Sequence, residues 1–342
     1  MSRQQFPKSL RSLDLLKKGC RPKVSGRKIF AIDVAHDRII FHHNAEFMIY
    51  SNFDHLVWER NVRVDFSQFI QNLIPTQLVV ERMEFNAHND TIVFVVVHYG
   101  FRLSAVKELF SYCIERNELE ALHQINSNNV SDVCIHVDRK ENIVYMIEGT
   151  ELTVVNQRSH SETSTCRITK ESKVTFTQME CSFDGKHLLI MEFIEYKIYV
   201  FNKSSKSVEW FIYLYDLINE PTEVYEKAYF MPYNSNFIMD YKHERILIPY
   251  IWNSRTSSKT FSTQKMMGVI SGGVKDPSFF TVNLDQGYHC AACFEWKGKQ
   301  MIILSEQYSY LCVAELNLEC FFRTGLLRAR ENGSLIDITF LR

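Results

Sequence analysis

Short apolar runs separated by polar breaks fill most of the chain, and each run has the length of a strand. Leu188 to Phe193 follows Asp184-Gly185, a pair suited to a tight turn because glycine tolerates positive φ and aspartate bonds its own backbone. After a polar break, Lys197 to Phe201 puts Ile198 and Val200 on one face and Tyr199 and Phe201 on the other. A third run, Val208 to Leu214, follows the polar KSSKS. This order of turn, strand, break and strand predicts an antiparallel meander.

Similar units recur along the chain. The first apolar residue after each turn is Ile39, Ile92, Ile143, Leu188, Ile246 and Met301, at intervals of 45 to 58 residues. Six meanders of comparable length predict radial repetition, in which each sheet buries its faces against its neighbours. A β-sandwich or a pair of stacked sheets is the alternative, but neither has to keep a comparable unit length. The expected architecture is therefore all-β, a β-propeller of six or seven four-stranded blades over residues 29–342, preceded by a basic arm over residues 1–28.

The stretch SFDGKHLLIMEFIEYKIYVFN, Ser182 to Asn202, resembles the central part of a WD40 repeat. Ser182, Asp184, Gly185 and Lys186 match its turn, and Phe201-Asn202 stands where the family has Trp-Asp. Asp37, Asp90 and Asp138 sit in or near the equivalent turns of other units, and Gly298-Lys299 resembles the same turn. No unit has the outer Gly-His pair or a true Trp-Asp ending, so the family's buried Asp-His-Ser-Trp network does not carry over. The resemblance implies a divergent WD40-like propeller that binds other proteins.

Three segments fit this plan less well. Within Tyr99 to Ile125, the residues Val106, Leu109, Phe110, Cys113 and Ile114 have helical spacing, which predicts a helical insertion or else two blade strands. The Ser/Thr-rich Ser254 to Lys265 reads as a long mobile loop. The terminal GSLIDITFLR predicts a strand that closes the ring beside the N-terminal strands.

Composition narrows the class. The 342 residues are 46% hydrophobic and 23% charged, as in a globular chain with ample core. The N-terminus has no uninterrupted apolar stretch of the signal-peptide kind, and no run reaches the ~20 residues of a membrane span. Nine irregularly spaced cysteines predict free thiols in a reducing compartment, cytoplasmic or nuclear.

The candidate chemistry is thin. Cys290 and Cys293 form a lone pair on a predicted strand, which points to inert cysteines rather than zinc. His42 and His43 point to opposite faces of a strand and cannot share an ion. Asp33, His36 and Asp37 are close enough to picture a metal cluster, although satisfied or exposed side chains are the commoner outcome. Neither a phosphate loop nor a Gly-x-Ser-x-Gly elbow occurs. The sequence assigns no catalytic, cofactor or metal residue.

The arm carries the informative charge. Residues 1–28 hold nine basic side chains against Asp14 alone, a net +8, while the rest of the chain carries −9. Phe6, Leu10 and Leu13 have helical spacing and predict a short helix that docks on a partner or on the propeller. Lys17, Lys18, Arg21, Lys23, Arg27 and Lys28 are dense enough to attract phosphate or an acidic surface; a solvated tail is the alternative. The leading function is a non-catalytic protein-interaction scaffold. The alternatives are a ribonucleoprotein or chromatin subunit using the arm, and a propeller hydrolase whose metal ligands converge from different blades.

Overall fold

In the computed structural model the six anchor residues all fall on the second strand of an antiparallel sheet. Residues 11–14 and 30–338 are described, apart from 44–45, 54–56, 71–77, 100–104, 126–132, 139, 160, 172–173, 215–228, 233–236, 256–260, 272–277, 285–287, 307–309, 316–326 and 332–333. Strand β1 is Arg11–Asp14. Blade one follows as β2 (Phe30–Asp33), β3 (Arg38–His43), β4 (Glu46–Ser51) and β5 (Val57–Arg63). Blade two is β6 (Leu78–Asn86), β7 (Thr91–Tyr99), β8 (Ala105–Cys113) and β9 (Glu118–Ile125). Blade three is β10 (Val133–Asp138), β11 (Ile143–Glu148), β12 (Glu151–Asn156) and β13 (Ser161–Arg167). Blade four is β14 (Phe176–Cys181), β15 (His187–Glu192), β16 (Lys197–Asn202) and β17 (Ser207–Tyr213).

The next sheet is wider. It contains β18 (Tyr229–Pro232), β19 (Ile238–Asp240), β20 (Arg245–Arg255), β21 (Phe261–Ser271) and β22 (Ser278–Leu284). Blade five is β23 (Tyr288–Trp296), β24 (Lys299–Glu306) and β25 (Tyr310–Glu315), with β1 as its fourth strand. Finally β26 (Leu327–Glu331) and β27 (Ser334–Ile338) join the wide sheet beside β22, giving it seven strands. The described residues thus form five four-stranded blades, where six or seven were expected, and one seven-stranded sheet.

Three expectations are corrected here. Residues 105–125 are β8 and β9, not a helix. Leu109 and Phe110 are both fully buried, Leu109 packing toward blade three and Phe110 toward blade one. A sheet covered on both faces loses the period-two pattern, and its apolar positions then mimic helical spacing. Within Ser254 to Lys265, the flanks belong to a long hairpin in which Ser254 pairs with Ser262 and Asn253 with Thr263; residues 256–260 lie outside the description. Backbone ladders do not need apolar side chains, so the polar composition concealed the strands. Lastly, β27 is indeed a strand but pairs with β26, and the ring is closed instead by β1.

That closure also bears on the arm. Leu13 lies in β1, opposite Leu311, which is strand rather than helix; the edge of β25 offers a full row of backbone partners. Phe6 and Leu10 lie outside the described residues.

Apolar clusters bridge neighbouring sheets. Phe47, Ile49 and Phe94 join blades one and two; Val93, Leu109 and Val144 join two and three. Tyr145, Leu188 and Phe201 join three and four, and Met191, Val200 and Ile246 join four to the wide sheet. Phe53 meets Phe294 and Trp296 of blade five at centroid distances of 4.8 and 5.6 Å, which closes the circuit. Each aromatic ring buried this way contributes a large apolar area.

In five of the six sheets the turn from the inner strand to the second strand is built on one plan, while β23 and β24 are joined by the two-residue turn Lys297-Gly298. A buried polar residue ends the inner strand: Asp33, Asn86, Asp138 and Asp240, with Ser182 just past β14. Asp33 accepts hydrogen bonds from the His36 amide at 3.1 Å and its Nδ1 at 2.8 Å, and Asp240 holds His243 in the same way. The left-handed residue comes four positions after the cap at Asp37, Asp90, Asn142 and Glu244. Gly185 plays that part in blade four with φ of 72°, a conformation that costs non-glycine residues about 1–2 kcal/mol.

Replacing Asp33 by Ala is expected to lower stability by about 1–3 kcal/mol in urea unfolding, because the turn loses the buried acceptor of the His36 amide and ring and a cavity is left in its place. Asp33→Asn keeps an acceptor oxygen and is expected to recover most of the loss. Deleting residues 1–14 removes β1 and is expected to lower the thermal midpoint, measured by circular dichroism.

Candidate functional site

The inner strands β2, β6, β10, β14, β19 and β23 surround a central channel of about 480 Å³. It ends at the inner turns, where Lys140, Phe183, Asp184, Tyr241 and Lys242 line the opening. Its apolar lining includes Ala31, Met83, Phe237 and Phe294. Two carboxylates and one imidazole interrupt that lining on one side: Glu84 of β6, His136 of β10 and Glu180 of β14.

All three follow from the turn plan, each standing two positions before the buried cap of its blade. The same count on β2 and β19 gives Ala31 and Ile238, so the charges fall on three consecutive blades. His136 is 7% exposed, and its Nδ1 lies 3.5 Å from Glu84 Oε2 and 3.5 Å from Glu180 Oε2. The Val137 amide donates to Glu84 Oε2 at 2.9 Å. Gln178 Nε2 donates to Glu180 Oε1 at 3.2 Å and to Phe237 O at 2.6 Å.

The protonation of His136 is set by opposing effects. Burial favours the neutral ring, but Glu84 outweighs it and the imidazole is pushed up to about 10. The Cys181 amide lies 3.3 Å from Nε2, which suits a neutral ring with Nε2 as acceptor. That contact is long for a hydrogen bond, and two carboxylates 3.5 Å away are the stronger influence, so the charged ring is favoured.

Lys203 stands beside this cluster. Its Nζ donates to Asp138 Oδ2 at 2.7 Å and lies 4.0 Å from Cys181 Sγ. The Asp138 carboxyl is held below the usual carboxylate range: burial opposes this, but the Lys203 hydrogen bond prevails. Cys293 is half-buried in the channel wall, with burial pushing its thiol up.

A second acidic–histidine group, Asp33, His36 and Asp90, lies at the turn between blades one and two. Here His36 Nδ1 is already hydrogen-bonded to Asp33, and Asp90 is 3.9 Å away. It is a turn cap with one outlying carboxylate. The basic residues Lys17, Lys18, Arg21, Lys23, Arg27 and Lys28 lie outside the described residues.

The Asn at the end of the recognised motif has a defined role. Asn202 Oδ1 accepts from the Ser204 and Ser205 amides at 2.8 and 3.0 Å, and its Nδ2 donates to Glu209 at 2.7 Å. Asn156 caps the matching turn of blade three through Arg158 and Ser159. In both blades an asparagine at the end of the third strand supplies the acceptor for the following turn.

No protein-family model and no curated protein sequence matches the chain. Solved structures share the fold. A chain titled Kuenenia stuttgartiensis hydrazine synthase is similar with TM-score 0.52 and 10% identity, over 83% of this chain and 75% of that one. A chain of a mitotic checkpoint complex gives TM-score 0.52 and 8% identity, over 92% and 93%. The β-propeller domain of Cps50 (Swd1) from Myceliophteria thermophila gives TM-score 0.49 and 5% identity, over 85% and 96%. The fold is a β-propeller of antiparallel sheets. One of these neighbours belongs to an enzyme and another to an assembly, so the fold alone assigns no chemistry. Among the described residues, no helix is long and apolar enough to cross a membrane.

Replacing Lys203 by Met is expected to lower stability most near neutral pH, where the Asp138 carboxylate then lacks its cation. A lowered native pKa stabilises above the ordinary carboxylate range and loses that contribution as pH falls through it. The gap between wild type and Lys203→Met, measured by urea unfolding, is therefore expected to shrink below about pH 4.

Proposed function

We propose that the protein is a non-catalytic interaction scaffold, a subunit of a multiprotein complex whose partner docks on the face bearing the inner turns. The observation behind this reading is the Tyr241–Phe183 pair at the channel mouth. Tyr241 is 47% exposed, its ring meets Phe183 edge to face at 5.8 Å, and its hydroxyl donates to Cys181 O at 3.0 Å. An aromatic side chain already fixed in solvent loses little freedom on binding and serves as an anchor. Assembly in a complex, as for the mitotic checkpoint neighbour, is consistent with this role. The setting is the cytoplasm or nucleus.

The charge contrast between residues 1–28 and the remainder supports a second reading, contact with nucleic acid through Lys17, Lys18, Arg21, Lys23, Arg27 and Lys28. Truncating the arm is a poor test because it also removes β1. Replacing those six residues by Gln leaves β1 intact. Under this reading, RNA or DNA binding falls steeply with salt and disappears in the six-residue variant; salt-insensitive binding sinks it.

Affinity purification with mass spectrometry separates the binding faces. The partner set recovered with wild type is expected to vanish with Tyr241→Ala. It is expected to persist with Phe193→Ser/Ile194→Ser, since that exposed pair sits in the turn at the other end of the strands. An unchanged partner set for Tyr241→Ala overturns the assignment of the face.

A further inference from the structure

A second opening lies on the face that bears the inner turns. It is a cleft of about 440 Å³ between blades three and four, within the range of about 300–1,000 Å³ typical of ligand sites. Glu141, Gly185 and Lys203 line both this cleft and the channel, so it opens inward at the channel mouth. Outward it reaches Ser164 and Cys166 on β13. From the turn after β10 to β13 is roughly 14 Å, three strand spacings of about 4.8 Å. An extended chain covers that distance in about four residues.

The floor of the cleft follows from strand register. Tyr145, Val154 and Ser164 are successive partners across β11, β12 and β13, and Leu152 and Cys166 stand in the next row. One face of blade three turns these side chains toward blade four. Ile143, Val154 and Cys166 pack against the apolar cluster there but stay only partly buried. Burial pushes the Cys166 thiol up, and Lys206 pulls the other way from the rim.

That rim is cationic on an otherwise acidic body. Lys186, Lys203 and Lys206 line the cleft against Glu141 alone, a net +2, whereas residues 29–342 carry −9. Lys203 is already held by Asp138 at 2.7 Å. Lys186 and Lys206 are exposed, and among the described residues neither side chain makes a hydrogen bond or ion pair. The neighbouring Asp184 is engaged by the Ser182 hydroxyl at 2.6 Å and the Lys186 amide at 3.0 Å.

We propose that the cleft between blades three and four binds an acidic segment of a partner protein, about four extended residues long. In it an apolar side chain rests on Ile143 and Val154, and flanking carboxylates meet Lys186 and Lys206. Charge selects this occupant, because a basic segment such as this chain's own residues 1–28 meets the lysines as like charge. The floor favours peptide over nucleic acid: its accessible side chains are aliphatic, while Tyr145 and Phe201 are buried and offer bases no stacking platform. The proposal rests on the reading of the inner-turn face as a docking face, but not on Tyr241.

The test selects random peptides displayed on phage against the full-length protein and synthesises those enriched. They are expected to carry an apolar residue flanked by Asp or Glu. Their affinity, from fluorescence anisotropy, is expected to fall at least about tenfold in Lys186→Glu/Lys206→Glu, checked for native circular dichroism, and to be unchanged in Tyr241→Ala. Location needs no variant: bound peptide is expected to slow iodoacetamide alkylation of Cys166 several-fold and to leave Cys181, which lines the channel, unprotected. Absence of acidic peptides from the enriched set overturns the proposal, as does equal affinity for wild type and the lysine variant. Protection of Cys181 instead of Cys166 also overturns it. Peptides lost with Tyr241→Ala but kept by the lysine variant sink the cleft and leave the channel-mouth reading standing. Protection of Cys166 by an oligothymidylate and by no peptide assigns the cleft to nucleic acid, which overturns the proposal as well.

Discussion

Each sheet of this ring is tied to the next at the level of the inner turns, and those ties set the positions of everything inside them. Trp296 Nε1 donates to Asp37, joining blade five to blade one. Arg38 reaches Glu115 at 2.9 Å, joining one to two, and Asn86 donates to Asn142 at 2.7 Å, joining two to three. Lys203 and Asp138 join three to four; Tyr241 and Cys181 join four to the wide sheet; Lys242 donates to Gly298 O at 2.6 Å and completes the circuit. Apolar packing between sheets is strong but not directional. The polar circuit adds direction, fixing how far each inner strand advances along the axis and hence which residues share one level of the channel.

That circuit also explains how the ring holds without the buried Asp-His-Ser-Trp network of WD40 repeats. The shared requirement is an acceptor at the end of an inner strand and a left-handed residue to close its turn. Asp, Asn and Ser satisfy the first need, and Asp, Asn, Glu and Gly the second. Because several residue types serve, the pattern drifts in sequence while the geometry persists.

The legibility of the chain tracks this tolerance. The unit length was readable because Ile39, Ile92, Leu188 and Ile246 begin second strands where burial is nearly complete. Strand β8 was not, because both of its faces are covered and period-two alternation vanishes. The channel cluster was missed for another reason. Glu84, His136 and Glu180 lie in three different units, each in an ordinary apolar strand, and no local spacing links them. Superposing the turns and counting back two positions aligns them, but the turn aspartates legible in the sequence fall in two different places: Asp138 is a buried cap, whereas Asp37 and Asp90 stand four positions after theirs. The pairing of β1 with β25 was equally hidden, since an RSLD tetrapeptide has no strand signature of its own.

That pairing has a consequence for how the molecule is made. Asp14 meets Tyr310, so β1 finds its partner strand only after the four blades and strands β18–β22 of the wide sheet, which lie between them in sequence, have been synthesised. Contacts this distant in sequence form late and slowly, and meanwhile the exposed edges of the sheets are open to the wrong partners. Blade five is therefore completed by the strand most distant from it in sequence, and until β1 docks the outer edge of β25 stays open.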